Sequence, residues 1–415
     1  MKTIQDKFLL LLRSALDGST PAELEQTSPE EWNQIFHLAS AHHVLPLVYE
    51  AGYRIPAVRS GRIPAFLEAR QLIFQQVMIQ VRKTSEFLQL YRHLREDGIT
   101  PLVTKGVICR NLYPQPDHRP SGDEDVLIPP EQFEACHESL LRFGMEAAEP
   151  AGSLSASYEI PYRKPGSPLY IELHKHLFPP ESDAYGSWNH YFEGVFEGAE
   201  DEDIYGNPIR TMGCTDHFFY LICHCFKHFL HGGFGIRQVC DIVLYANKYG
   251  SRMDWELLLN LCREIRAEQF AAALMKIGAK HLTFDPVQAC YPPIWQEIHI
   301  DEEPMLEDLL SGGVYGGSTM NRKHSSTITL DAAAASNQGR KAKASLAASL
   351  FPPLKSMVRR FPYLEKHPWL LPLAWLQRII RYGQETRTTS DSSAAEALKI
   401  GKERIALMKI YGIID

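Results

Sequence analysis

Over residues 1–98 the apolar positions recur every three or four residues, the period of amphipathic helices. Ser28-Pro29-Glu30-Glu31 has the form of a capping box with proline at the first helical position, and Trp32, Ile35, Phe36 and Ala39 follow at helical spacing. A longer helix is predicted from about Ala65 to Asp97, with Phe66, Ile73, Val77, Val81, Leu88 and Tyr91 roughly on one face and Gly98 as its C′ residue. Between 99 and 212 short apolar runs bounded by turn residues replace the helical period. Strands are predicted at Ile99 to Thr104, with Pro101 pointing to an edge, at Asp123 to Ile128, at Tyr158 to Tyr162 and at Leu169 to Leu173. Lys164-Pro165-Gly166-Ser167-Pro168 reads as the turn between the last two. Helices are predicted at Gly106 to Leu112 and at Pro130 to Phe143, the second placing Phe133, Cys136, Leu140 and Leu141 on one side and ending at Gly144.

From residue 213 the helical period returns. Thr215 can cap a helix with Asp216 in its first turn, and Asp254-Trp255 starts another. The last stretch, 301–415, is less regular. Ser311 to Ser318 is glycine-rich without the Gly-Lys-Ser/Thr ending of a P-loop, and reads as a flexible loop or a lid over the site. Asp331 to Ala348 reads as a polar helix or a partly disordered run. Pro368 to Leu376, with Arg378 and Arg381 after it, is either packed onto the body or a weak membrane-surface contact over 368–381. Ser393 and Glu396 form a capping box for a final helix that Gly412 ends. The expectation is an α+β chain in four regions: 1–98 helical, 99–212 a mixed core, 213–300 helical, and 301–415 a loop and helical region.

Composition narrows this picture only a little. The 415 residues are too many for one simple core. With 45% apolar and 22% charged residues the chain is an ordinary globular one, and its net charge of −7 excludes a global basic field for nucleic acid. The eight cysteines are scattered without Cys-x-x-Cys, so reduced thiols and a cytoplasmic setting are expected. Met1 to Leu12 has charges among its apolar residues and reads as a helix rather than a signal peptide. No apolar run approaches the roughly 20 residues that span a bilayer.

The candidate chemistry lies in one stretch, Thr100 to Pro129. Asp123 and Asp125 are two apart at the start of a predicted strand, so alternation puts both carboxylates on one face. Such pairs also occur as ordinary turn residues, and the neighbours decide between the readings. Two adjacent carboxylates repel, and a hard cation that also holds phosphates removes that cost. Lys105-Gly106 supplies a cation and a close backbone approach, Arg119 a planar fork suited to phosphate, and Ser121-Gly122 a tight entry to Asp123. The short helix after Gly106 would turn its N-terminus to an anion. Further along, His224, His228 and His231 share a helical face beside Lys227, a spacing that suits either zinc or contacts to a substrate.

Lys-Gly, then Tyr113-Pro114, then Arg119-x-x-Gly122-Asp123-x-Asp125 and an apolar run resembles the DNA polymerase β-like nucleotidyltransferase superfamily, and within it the bacterial uncharacterised nucleotidyltransferase family. Tyr170-Ile171-Glu172-Leu173-His174, and Gly235-Ile236-Arg237 followed by Asp241, continue the likeness. Glu124 departs from it, since that middle position is usually apolar, and its side chain is expected on the opposite face of the strand. The resemblance implies a polymerase β-like core, a mixed sheet with helices, flanked by N- and C-terminal helical regions. It implies that Asp123, Asp125 and Glu172 are the metal carboxylates and catalytic residues, with Glu172 delivered beside the aspartates by the 158–173 hairpin. It further implies nucleotide contacts from Lys105, Gly106, Arg119, Ser121, Gly122, His224, Lys227, His228 and Arg237.

The function so implied is Mg²⁺- or Mn²⁺-dependent transfer of an NMP group from an NTP to an acceptor: a sugar phosphate, a lipid-linked sugar, a protein or an RNA. The alternatives are a toxin-like nucleotidyltransferase acting on tRNA or protein, and a catalytically inactive nucleotide-binding or regulatory protein.

Overall fold

The computed structural model describes residues 3–61, 63–148, 157–312, 320–339, 354–358, 361–378 and 394–415. The chain opens with helices α1 (Ile4–Asp17), α2 (Pro29–Ala41), α3 (Leu45–Tyr53) and α4 (Pro56–Ser60), then the long α5 (Pro64–Glu96). The Ser28–Glu31 capping box forms, and Gly98 adopts the left-handed φ of +78° that lets the chain leave α5. A five-stranded mixed sheet follows, built from β1 (Leu102–Val103), β2 (Glu124–Leu127), β3 (Glu146–Ala147), β4 (Glu159–Arg163) and β5 (Tyr170–His174). Its order is β1-β2-β5-β4-β3. β2 and β5 run parallel, and the other pairings are antiparallel. Helix α6 (Gly106–Arg110) links β1 to β2, and α7 (Phe133–Arg142) covers the sheet together with the second half of α5. This is the α+β arrangement of a polymerase β-like nucleotidyltransferase, with helical regions on both sides.

A separate hairpin, β6 (Glu200–Ile204) and β7 (Asn207–Thr211), turns at Tyr205-Gly206, where both residues have positive φ. The acidic run of β6 hides its alternation, and the sequence pattern does not predict it. Helices α8 (Cys214–His231), α9 (Ile236–Tyr249), α10 (Trp255–Glu264), α11 (Glu268–His281), α12 (Pro293–Gln296), α13 (Glu303–Gly312) and α14 (Met320–Asn337) complete the body, with a last helix at Ala394–Ile410. Residues of the N-terminal helices, of α8 to α11 and of the C-terminal helix share one continuous apolar core. Arg322 and Arg404 both ion-pair with Asp308 and donate to carbonyls at the end of α8, Gly232 and Phe229, tying the C-terminal helices to α8.

Several expected details change. Gly213 caps α8, while the Thr215 hydroxyl accepts a hydrogen bond from Asp254 N. Leu141 and Val81 are exposed. On α5 the buried stripe runs instead through Phe66, Ile73, Gln80, Lys83, Thr84, Phe87, Tyr91 and Leu94, so its middle is polar. Helix α6 stops at Arg110, short of Leu112. Residues 313–318 of the glycine-rich run, 340–348 of the polar run, 379–381 and the Ser393 cap lie outside the described residues. Near them Met357, Leu364 and Ala374 form a small core of their own, leaving Trp369, Leu373 and Leu376 exposed. All eight cysteines are free thiols, and among the described residues no helix is long and apolar enough to cross a membrane.

Candidate active site

The parallel register of β2 and β5 sets Asp125 opposite Glu172 and Leu127 opposite His174. Alternation therefore places Asp123, Asp125, Glu172 and His174 on one side of the sheet. β4, antiparallel to β5, adds Glu159 opposite His174. Asp125, Glu172 and His174 each offer a donor atom within 4.8 Å of the others, the single such group of histidine, cysteine and carboxylate donors among the described residues.

The crowding of negative charge is visible in the acidities. Burial, then Asp125, Asp123 and Glu159, push the Glu172 carboxyl up to about 7. Burial and the Asp125 charge likewise raise Asp123. Asp125 moves the other way. Burial disfavours its charge, but Lys105 Nζ at 2.9 Å from Oδ1, and then His174, hold its carboxyl well below the usual range. Burial pushes Lys105 down in turn, and Asp125, Tyr220 and Asp123 more than reverse this, so Lys105 remains an ammonium.

Lys105 Nζ also lies 2.8 Å from His224 Nε2. An ammonium only donates, so Nε2 accepts and the His224 ring carries its proton on Nδ1. His228 Nε2, 3.1 Å from the same atom, is then the donor in that contact. Neutral rings agree with their surroundings, since burial and the nearby lysines hold both imidazoles well below their ordinary pKa. Lys227 adds a cation whose charge is felt with those of Lys105, Glu159, Asp125 and Glu172. His231 turns away and pairs with Tyr185 Oη at 2.6 Å, so the three histidines do not converge on one ion.

Glu124 does point to the opposite face, and there it is fully buried. Its Oε1 accepts from Arg110 Nη2 at 2.5 Å and its Oε2 from Val107 N at 2.6 Å. The first turn of α6 is thus held by Glu124, and its Val107 amide is already satisfied. Gly106 has φ +43°, and a Cβ there would meet Glu124 Oε2 at 1.8 Å, so only glycine fits. Arg110 also donates to Ser121 Oγ at 2.8 Å.

The polar middle of α5 lies under the loop that enters β2. Lys83 Nζ donates to the Ser121 and Gly122 carbonyls at 2.7 and 2.6 Å, and Ser121 N donates to Gln80 Oε1 at 2.9 Å. Arg119 is buried and grips Asp241 with two bonds, Nε to Oδ1 at 2.7 Å and Nη2 to Oδ2 at 2.6 Å, while Tyr113 Oη donates to the same carboxylate. Arg237 donates to the Pro120 carbonyl and its charge reaches Asp123.

The predicted residues therefore fall into two sets. Lys105, Asp123, Asp125, Glu172, His224, Lys227 and His228 gather about the carboxylate face. Arg119, Ser121, Gly122 and Arg237 bond inward, to Asp241, Gln80, Arg110, Lys83 and the Pro120 carbonyl, and Gly106 packs against Glu124. The sequence reading passed over Arg110, Lys83, Gln80, Glu159 and the donor role of His174. A polar interruption of the α5 stripe and a charged residue between two aspartates were the available signals.

The donor set suits a divalent ion. Two carboxylates and a buried imidazole whose ring nitrogens make no hydrogen bond are ligand types that a divalent metal takes. No curated protein and no solved structure matches the chain. The family model described as uncharacterised nucleotidyltransferase matches residues 28–283, more than half of the chain and the whole of the sheet with α8 and α9. A nucleotidyltransferase-like sheet, its carboxylates in register, and that match together place the chain in the uncharacterised nucleotidyltransferase family.

Proposed function

We propose that this chain transfers an NMP group from an NTP to a hydroxyl acceptor and releases pyrophosphate, using a divalent ion, Mg²⁺ or Mn²⁺. The observation that carries the reading is the register of Asp125 against Glu172, with Lys105 Nζ 2.9 Å from Asp125 Oδ1. Asp123, Asp125 and Glu172 would hold the metal, which when bound neutralises the phosphates and the developing charge on the attacking and leaving oxygens. Lys105 and Lys227, cations beside a carboxylate cluster, would meet the triphosphate, with Arg237 at the Asp123 end. His224 Nε2, 2.8 Å from Lys105 Nζ, helps to hold the ammonium beside Asp125. In the displacement the acceptor oxygen bonds to the α-phosphorus, the bond from that phosphorus to the bridging oxygen breaks, and pyrophosphate leaves with its electron pair. Glu172, the third carboxylate of the cluster, is the residue placed to take the acceptor's proton.

Binding and label transfer test this. Wild-type protein should bind NTP only with a divalent ion. It should transfer label from an α-phosphate-labelled NTP, and none from a γ-labelled one, to an acceptor in a hydroxyl-compound panel. Asp123→Asn and Asp125→Asn should lose metal-dependent NTP binding and keep their circular dichroism. NTP binding that ignores both the ion and these substitutions would remove the proposal.

A further inference from the structure

The imidazole of His174 is the unusual member of the carboxylate face. Its side chain is only 5% exposed, and neither ring nitrogen makes a hydrogen bond. The ring nevertheless sits among acceptors. Nε2 lies 3.3 Å from Asp125 Oδ1 and 3.8 Å from Glu172 Oε2, and Nδ1 lies 3.7 Å from Glu159 Oε2. These are ion-pair distances without the alignment of hydrogen bonds. The strand register, which sets Glu159 opposite His174 and His174 two residues beyond Glu172, imposes them.

We infer that His174 Nε2 is a metal ligand, that Glu159 orients the ring through Nδ1, and that the site accordingly takes a first-row transition ion such as Mn²⁺ in preference to Mg²⁺. The inference rests on the metal-dependent reading above and names the ion class for the same site. The physical reason is donor chemistry. Mg²⁺ demands oxygen ligands in a near-ideal octahedron, whereas imidazole nitrogen suits transition ions. A ligating histidine commonly gives its second ring nitrogen to a carboxylate, which sets tautomer and orientation, and Glu159 occupies that position. Nε2 lies close enough to an oxygen of Asp125 and an oxygen of Glu172 for one ion to reach all three donors. An ion placed there satisfies the imidazole and relieves the repulsion between Asp125 and Glu172 together.

The probe is Mn²⁺ alone, titrated into wild-type protein and read by electron paramagnetic resonance, with Mg²⁺ as competitor. The bound ion should show ¹⁴N modulation from one imidazole, a signal that a merely structural histidine does not produce. In His174→Asp the ¹⁴N signal should vanish, and the preference for Mn²⁺ over Mg²⁺ should fall by at least about tenfold. Glu159→Gln should retain the ¹⁴N signal and weaken Mn²⁺ about tenfold. Asp125→Asn separates the two readings. If Mn²⁺ binds the wild type without ¹⁴N modulation and is lost in Asp125→Asn, the carboxylate site stands and the role of His174 falls. If Asp125→Asn binds Mn²⁺ as the wild type does, the metal site itself falls. The wild-type spectrum alone decides the ligand question, so the test survives a His174 variant that fails to fold.

Discussion

Replacing Glu124 by glutamine keeps the volume of the side chain and removes its charge, leaving Arg110 with none to answer it. Both side chains are essentially inaccessible, at 0% and 1% exposure. Breaking a buried pair by removing one partner costs about 3–5 kcal/mol, because the remaining charge is stranded. The amide adds a second problem, since one carboxylate oxygen accepts from Arg110 and the other from the Val107 amide. A glutamine must turn its NH₂ toward one of these donors. The expected loss is therefore about 3–5 kcal/mol even though the shape is conserved. Arg110→Met in the same chain removes the stranded charge and leaves Val107 an acceptor, so the double variant should recover on the order of 2 kcal/mol. A chain of this size need not unfold in one step, so the local readout is amide exchange over residues 102–112, beside the urea midpoint. Exchange there should accelerate strongly in Glu124→Gln and return partway in the double variant. A loss under about 1 kcal/mol, or a double variant that loses the sum of the singles, would refute the argument that this pair holds α6 against β2.

Three further outcomes follow from the same geometry. Lys105→Ala should weaken NTP binding by about 1.5–3 kcal/mol, with a smaller change for nucleoside, and Lys105→Arg should not restore it; equal NTP affinity of wild type and Lys105→Ala in calorimetry would place Lys105 outside the site. Because the Glu172 carboxyl is pushed up to about 7 in the folded protein from its ordinary 4.5, the unfolded chain releases that proton first, so this group's contribution to stability is full below about pH 4.5 and is lost as pH rises toward 7. The decline is on the order of 2–3 kcal/mol in chelator, and Glu172→Gln should flatten the dependence of the urea midpoint between pH 5 and 8; an unchanged slope would count against the crowded carboxylates. Protein purified without chelator should hold no stoichiometric zinc on the α8 histidines, because His231 bonds Tyr185 and His224 accepts from Lys105; zinc that His228→Ala removes would contradict this.

Much of the chemistry was legible in the chain by itself. Period-two alternation is a local property, so Asp123-Glu124-Asp125 alone determined that two carboxylates share a face and that Glu124 opposes them. The Ser28 box, the start of α10 at Asp254 and the glycine at the end of α5 were equally local, because caps and turns depend on a few neighbouring residues. Helix and strand types were readable wherever an apolar stripe ran unbroken.

Tertiary structure decided which distant residue answers each charge. Nothing near Arg119 in sequence reveals that its fork closes on Asp241, or that Lys83 reaches the carbonyls of Ser121 and Gly122. These partners are set by how α5 and α9 pack around the β2 loop. Alternation named Asp125 and the family resemblance named Glu172, but only the parallel register of β2 and β5 assembles them, with His174 beside them, and register is a long-range pairing between strands far apart in the chain. The buried polar stripe on α5 shows the general reason. Hydrophobic periodicity predicts burial from apolarity, and it fails where a helix is buried because its polar groups bond to the backbone of a neighbouring loop.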